Sequence, residues 1–228
     1  FPIQAKQFLS YCDTSHAEMP DGVFLTHAHI GHYTGLIYLG KEAANTDQVP
    51  VYAMPKMKTF LAQNGPWSPL VTNQNIQLRP IFNGKTITLT PNLKVIPLQV
   101  PHRDEFSETV GYIIQGPHKK VLFIPDIDKW DKWHGDIKKK IDKVDYAFLD
   151  GTFYDGVEIN NRDITTIPHP FIIETMELFK NLSASEKAKI HFIHFNHTNK
   201  LLIPESEESK QVVANGFQLA RKGQIITL

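Results

Sequence analysis

The stretch "THAHIGHYTGL" (26–36) sets His27, His29 and His32 close together behind the apolar run "DGVFL". Imidazole nitrogens are ligands for divalent metals and carriers of protons near neutral pH. If the chain leaves a strand here, alternation puts His27 and His29 on the same side. A tight turn at Gly31 then brings in His32 at the start of a helix. Three imidazoles converging past one strand end build a divalent site of the kind α/β sheets carry. The plainer alternative is three loop histidines bonded to backbone.

The same setting recurs further along the chain. His102 follows the strand-like run ending at Val100 in "LQVPHRDEF", and Asp126 follows another in "VLFIPDID". An aspartate there is either a metal ligand or a turn residue. Asp128 reads better as the N-cap of a helical segment. Asp150 and Asp155 in "FLDGTFYDG" either orient ligands from behind or serve the turns at Gly151 and Gly156. His194 and His197 in "HFIHFNHTN" are candidates for a ligand or for a proton donor to a leaving group. His169 in "IPHPF" either caps the helix that follows or faces the pocket. His191 reads as a strand residue without a metal role, and His16, His118 and His134 as surface residues.

Elements that can position these groups follow from periodicity and turn chemistry. "DGVFLT", "VPVYAM", "IQLRPIF", "KTITLT" and "LKVIPLQV" read as strands. "TVGYIIQG" and "KKVLFIPD" read as a hairpin, and "VDYAFLDG", "KIHFIHF" and "QIITL" as further strands. Helical patterns cover "YTGLIYLGKEAAN" and "PKMKTFLAQNG", the latter with Pro at its start and Gly at its stop. They also cover "HPFIIETMELFKNL" and "PESEESKQVVANG". "NGPWSPLVTN" (64–73) reads as a loop, either a pocket wall or surface. Trp130 and Trp133 read as core cover, and the lysine run 136–143 as the solvated face of a short helix. The pattern is a layered α/β domain, taken as one domain over 1–228.

Bulk composition excludes several classes. The 228 residues are 41% hydrophobic and 21% charged, which is ordinary for a globular chain. Basic and acidic side chains balance at 24 each, so a large nucleic-acid partner is not expected and a small-molecule substrate is. Cys12 stands alone, which excludes an internal disulfide and suits a reducing, cytoplasmic setting. No run approaches the ~20 apolar residues of a membrane span. The opening "FPIQAKQFLS" has no initiator Met, so residues upstream are expected to be missing. Oligomeric state leaves no trace in the sequence.

"THAHIGHYTGL" resembles the H-x-H-x-D-H signature of the metallo-β-lactamase superfamily, with His102 and Asp126 in the places of the next histidine and the metal-bridging aspartate. A narrower resemblance, to the pyrroloquinoline quinone biosynthesis protein B family, rests on that motif with "VPHRDEFSETVGY", "LDGTFY" and "FIHFNHTN". The resemblance implies a four-layer αββα sandwich, here lacking its first strands. It implies a first metal held by His27, His29 and His102, a bridging Asp126, and His32 on a second metal. The superfamily's motif aspartate falls on Gly31, which has no side chain to offer. The biosynthesis family replaces the second motif histidine and keeps the aspartate; this chain does the reverse. His194 matches the catalytic histidine of related phosphodiesterases, with His197 beside it.

The expected function is a metal-dependent hydrolase of a phosphodiester or another ester. Zinc is the expected metal, iron or manganese the alternatives. Zinc would lower the pKa of a bound water toward ~7, with Asp126, His194 and His197 as catalytic groups and Asp150 and His169 behind the ligands. The other readings are a biosynthesis protein B-like oxidative role on a tyrosine-derived precursor with iron, and a non-catalytic metal-binding relative.

Overall fold

A computed structural model describes residues 2–11, 19–159, 163 and 166–228. Cys12 and His16 lie outside the described residues. The chain divides into two compact units, residues 1–82 with 104–110, and residues 83–103 with 111–228.

In the first unit, α1 (Pro2–Tyr11) precedes β1 (Val23–Phe24), α2 (Ile30–Tyr33), β2 (Val49–Ala53), α3 (Pro55–Gln63), α4 (Ser68–Thr72) and β3 (Ile76–Pro80). The strands form a parallel sheet in the order β1-β2-β3. Parallel neighbours need a crossover, and α3 with α4 supplies it between β2 and β3. Alternation fixes the faces: Val49, Val51 and Ala53 are buried, while Pro50 and Tyr52 are half-buried. Tyr52 stacks on Phe24 at 4.2 Å between ring centroids. Pro55 opens α3, where its missing N–H goes unmissed. Met57 and Leu61, one turn apart, face the core beside Leu36, Leu39, Leu70 and Ile76.

Three expectations change here. The helical pattern over 33–45 becomes α2, a 3-10 stretch Thr34–Leu39 and turns. The two glycines there weaken any longer helix. Residues 64–73 are not a loop, since Ser68–Thr72 form α4 with Pro69 early in it. Trp67 packs against Tyr33 and Phe60, at 4.7 and 5.7 Å between ring centroids. Gly31 needs no positive φ. A Cβ built on it meets nothing within 4 Å. The turn therefore does not depend on glycine.

The second unit holds β4 (Ile87–Thr90), β5 (Leu93–Val100), β6 (Thr109–Gln115, from Gly111 onward), β7 (Lys120–Ile124), α5 (Ile137–Ile141) and β8 (Tyr146–Asp150). These are followed by α6 (Ile172–Leu178), α7 (Ala184–Lys187), β9 (Ile190–Ile193), α8 (Glu207–Ala214) and β10 (Gln218–Leu219). Its seven-stranded sheet runs β10-β9-β8-β7-β6-β5-β4. β6 and β7 form the expected antiparallel hairpin, closed by the Gly116 N–H on the Lys119 carbonyl at 2.9 Å. β7, β8, β9 and β10 are mutually parallel, with α5, α6, α7 and α8 in the crossovers. Ile124, Leu149, Phe179, Phe192 and Phe217 form the centre of a fully buried core, with Trp130 and Trp133 packed against it as expected. Asp136 caps α5 through the Lys139 N–H, which leaves the lysines on a solvated face. Asp128 does not cap a helix; it pairs with Lys132 at 2.9 Å.

"QIITL" is not a strand. Gln218–Leu219 takes the edge place beside β9, and a turn bonding Gln224 to Arg221 separates the last residues from it. The mixed α/β class read from the sequence is the class observed. Among the described residues no helix is long and apolar enough to cross a membrane.

Candidate functional site

In the first unit the histidine turn follows β1. Leu25 continues the strand by bonding the Tyr52 carbonyl, and the chain then turns out through Thr26 and His27. His27 is 1% exposed. Its Nε2 lies 2.9 Å from His29 Nδ1, and its Nδ1 lies 3.1 Å from Thr26 Oγ1. His29 occupies the N-cap position of α2 with extended backbone, and the His32 N–H bonds its carbonyl at 2.8 Å. The rings of His29 and His32 lie 4.5 and 4.3 Å from that of His27. The three imidazoles thus converge as their spacing suggested. Two groups unread in the sequence hold them. Glu105 Oε2 meets His29 Nε2 at 3.3 Å, and the Ser107 hydroxyl accepts the Ala28 N–H at 2.8 Å. Both lie in "HRDEFSET", where nothing in the local pattern marks them.

In the second unit the parallel strands deliver their carboxyl ends to one place, which is where open α/β sheets bind ligands. Past β7 comes Asp126, at the end of β8 Asp150, and past β9 His194; His102 follows β5. Asp126 is 3% exposed. His169 Nδ1 and His102 Nε2 lie 3.2 and 3.4 Å from its Oδ1, and His194 Nε2 lies 3.5 Å from its Oδ2. Asp150, fully buried, holds the floor. Its Oδ2 accepts the Ile127 N–H at 3.1 Å and meets His169 Nδ1 at 2.8 Å. Its Oδ1 accepts the Thr152 N–H at 2.9 Å and hydroxyl at 2.7 Å. Burial pushes the His169 ring down. The hydrogen bond to Asp150 and the charges of Asp150 and Asp126 outweigh it, so its pKa is raised. His169 does not cap α6, because Phe171 holds the N-cap position and donates its N–H to Glu174.

Thr152 and Asn199 escape a reading from sequence. The Thr152 hydroxyl lies 2.8 Å from His194 Nδ1. Asn199 is buried and donates to the carbonyls of Gly151 and Thr152 at 2.9 and 3.1 Å. Its Oδ1 accepts the Leu201 N–H at 2.9 Å, so one side chain ties the two loops together. Gly151 lets them meet: a Cβ there would lie 3.0 Å from the Ile193 carbonyl oxygen. His194 has φ 63°, a left-handed conformation uncommon outside glycine, which aims its ring at Asp126. His197, His118 and His134 are exposed. Asp155 serves its turn by accepting the Val157 N–H. His191 bonds the Lys189 carbonyl and lies against Phe148, in agreement with a strand role.

The donors suit a divalent cation. In the second unit, one ligand atom each from Asp126, Asp150 and His169 lie within 4.8 Å of one another. In the first, two imidazole nitrogens stand 2.9 Å apart. Oxygen and imidazole together are the ligand set of zinc and of non-haem iron.

A family model for the beta-lactamase superfamily domain matches residues 4–192. The chain belongs to that superfamily. It is 25% identical over 223 residues to coenzyme PQQ synthesis protein B of Methylorubrum extorquens strain PA1, covering 90% of this chain and 72% of that protein. The same protein of Nitrosococcus oceani is 24% identical over 237 residues, covering 91% and 74%. Among solved structures, zinc-bound PqqB from Methylobacterium extorquens superposes with a TM-score of 0.77 at 20% identity, covering 98% of this chain and 80% of that one. A diphosphatase of the PhnP family superposes at 0.60 with 21% identity, covering 90% and 69%. The fold is that of the metallo-β-lactamase superfamily, near its synthesis protein B branch.

Proposed function

We propose that this superfamily member is a metal-dependent hydrolase of a phosphodiester or another ester in a small molecule. The observation that carries the reading is the buried Asp126 with imidazoles of His102, His169 and His194 about it. A carboxylate this deep, with nitrogens at 3.2 to 3.5 Å, suits a site that takes up positive charge. Following the superfamily signature, His27, His29, His102 and Asp126 are assigned as ligands, with His32 supporting a weaker second metal. Zinc is the metal of choice. When bound it supplies a Lewis acid and lowers the pKa of water toward ~7.

The remaining work falls to the chain's own groups. Asp126 orients the attacking water through its second oxygen. His194 turns Nε2 inward, takes the proton that the water gives up and passes it to the leaving group, a role for which it is preferred over the exposed His197. Asp150 holds His169, and through it the face of Asp126. Zinc added to metal-free protein is expected to support turnover of a generic phosphodiester or a lactone. Failure on both, with zinc bound, refutes the reading.

A second reading rests on similarity to the synthesis protein B relatives over about nine-tenths of the chain. It assigns an oxidative role in quinone-cofactor synthesis, with iron at the same ligands. Oxygen consumption by anaerobically prepared, iron-loaded protein favours it; activity with zinc alone favours hydrolysis.

A further inference from the structure

We propose that Thr152 and Asp150 are positioning residues that fix the tautomer of His194, placing its ring proton on Nδ1. The inference rests on the hydrolase reading for what His194 does, but not for how its ring is held. It follows from counting the hydrogens about Asp150 and the Thr152 hydroxyl.

Asp150 has four close partners. Two are backbone N–H groups, those of Ile127 and Thr152, which only donate, one to each oxygen. The other two are the Thr152 hydroxyl on Oδ1 at 2.7 Å and His169 Nδ1 on Oδ2 at 2.8 Å. A carboxylate satisfies all four by accepting. The Thr152 hydroxyl has a single proton, and this network directs it to Asp150. Its oxygen then has only lone pairs for its other neighbours, of which His169 Nδ1, 3.2 Å away, already directs its hydrogen to Asp150. His194 Nδ1 stands 2.8 Å away, so that nitrogen must carry the hydrogen. In the neutral ring the proton is therefore absent from Nε2, the nitrogen 3.5 Å from Asp126 Oδ2.

The backbone holds the arrangement in place. Asp150 and Thr152 are buried, and the Thr152 carbonyl accepts both the Asn196 N–H at 3.0 Å and the Asn199 amide at 3.1 Å. The strained φ of His194 brings its ring to the hydroxyl. A histidine whose far nitrogen is fixed by an oxygen acceptor presents the near one in a defined state, as in the carboxylate–histidine pairs behind metal sites. Here a threonine hydroxyl stands between carboxylate and ring, and Asp150 sets its direction.

The test is nitrogen-15 NMR of histidine-labelled, metal-free full chain at a pH where the ring is neutral, with His194 assigned by loss of its signals in His194→Gln. The expected result is Nδ1–H for His194 in the wild type and in Thr152→Ser. Thr152→Val keeps the shape and loses the hydroxyl; it is expected to move the ring to predominantly Nε2–H while far-ultraviolet and near-ultraviolet circular dichroism stay unchanged. Nε2–H in the wild type overturns the proposal. So does a tautomer unmoved in folded Thr152→Val, or Thr152→Ser behaving like valine. If Val does not fold, the wild-type and Ser spectra still decide. The Nδ1–H tautomer with no hydrolysis of any ester refutes the hydrolase reading alone and upholds this assignment.

Discussion

Gly31→Asp restores the side chain that the superfamily signature carries at this position, and the structure says what it should do. The added Cβ meets nothing within 4 Å, and the backbone has no positive φ that an aspartate would strain. Gly31 is the second residue of α2, where aspartate is the better helix former by about 0.3 kcal/mol. Losing glycine's freedom in the unfolded chain adds about 0.4–1 kcal/mol, and the two effects overlap. The fold is therefore expected to be unchanged or stabilised by up to about 1 kcal/mol, which is ~2–4 °C in Tm for a chain of this size. The metal-free variant and wild type are compared by thermal unfolding. Zinc content is then measured by elemental analysis after loading and desalting. One zinc per wild-type chain and two per variant chain are expected, the new carboxylate adding a donor beside His32. A loss of more than about 1 kcal/mol refutes the open space at Gly31. A folded variant that binds no more zinc refutes Gly31 as the reason for an asymmetric site.

Asn199→Ala removes three buried hydrogen bonds and leaves the Gly151 carbonyl without its amide. A destabilisation of about 3 kcal/mol is expected in urea unfolding, and a value under 1 kcal/mol would show that the loops do not depend on it. Gly151→Ala pushes a methyl to 3.0 Å from the Ile193 carbonyl oxygen, so a loss of about 1–3 kcal/mol is expected, measured the same way. His191 is buried in β9, and burial lowers its pKa, only partly offset by its bond to the Lys189 carbonyl. The unfolded chain therefore binds the proton first as pH falls below about 6.5, and stability drops until the folded ring also titrates. His191→Gln is expected to show a smaller loss of Tm between pH 7 and 5 than wild type. An equal loss would assign the acid sensitivity to other groups.

The strands were largely legible because their signals are local. β5 runs over Leu93–Val100, the same residues as the apolar run "LKVIPLQV" behind its Pro-Asn turn. Ligand-type residues past strand ends were legible for the same reason: His27, His102 and Asp126 stand where apolar runs stop. What holds them was not. Thr152 and Asn199 look like ordinary turn residues. Their partners come from the ends of β8 and β9, and the sheet register that joins those strands is not written in either segment. His169 meets Asp150 across 19 positions of sequence, a closure no periodicity encodes. The short α4 was hidden by Pro66 and Pro69 about its start, and "QIITL" showed strand composition although the edge place beside β9 went to Gln218–Leu219.

Metal content of the Asp126→Asn variant tests the central claim most directly. Wild type, loaded with zinc and desalted, is expected to keep at least one ion per chain. Asp126→Asn keeps the shape of the buried side chain and removes its charge, and is expected to fold yet lose that ion along with esterase or phosphodiesterase turnover. Zinc retained equally by folded Asp126→Asn, or never retained by the wild type, contradicts the account.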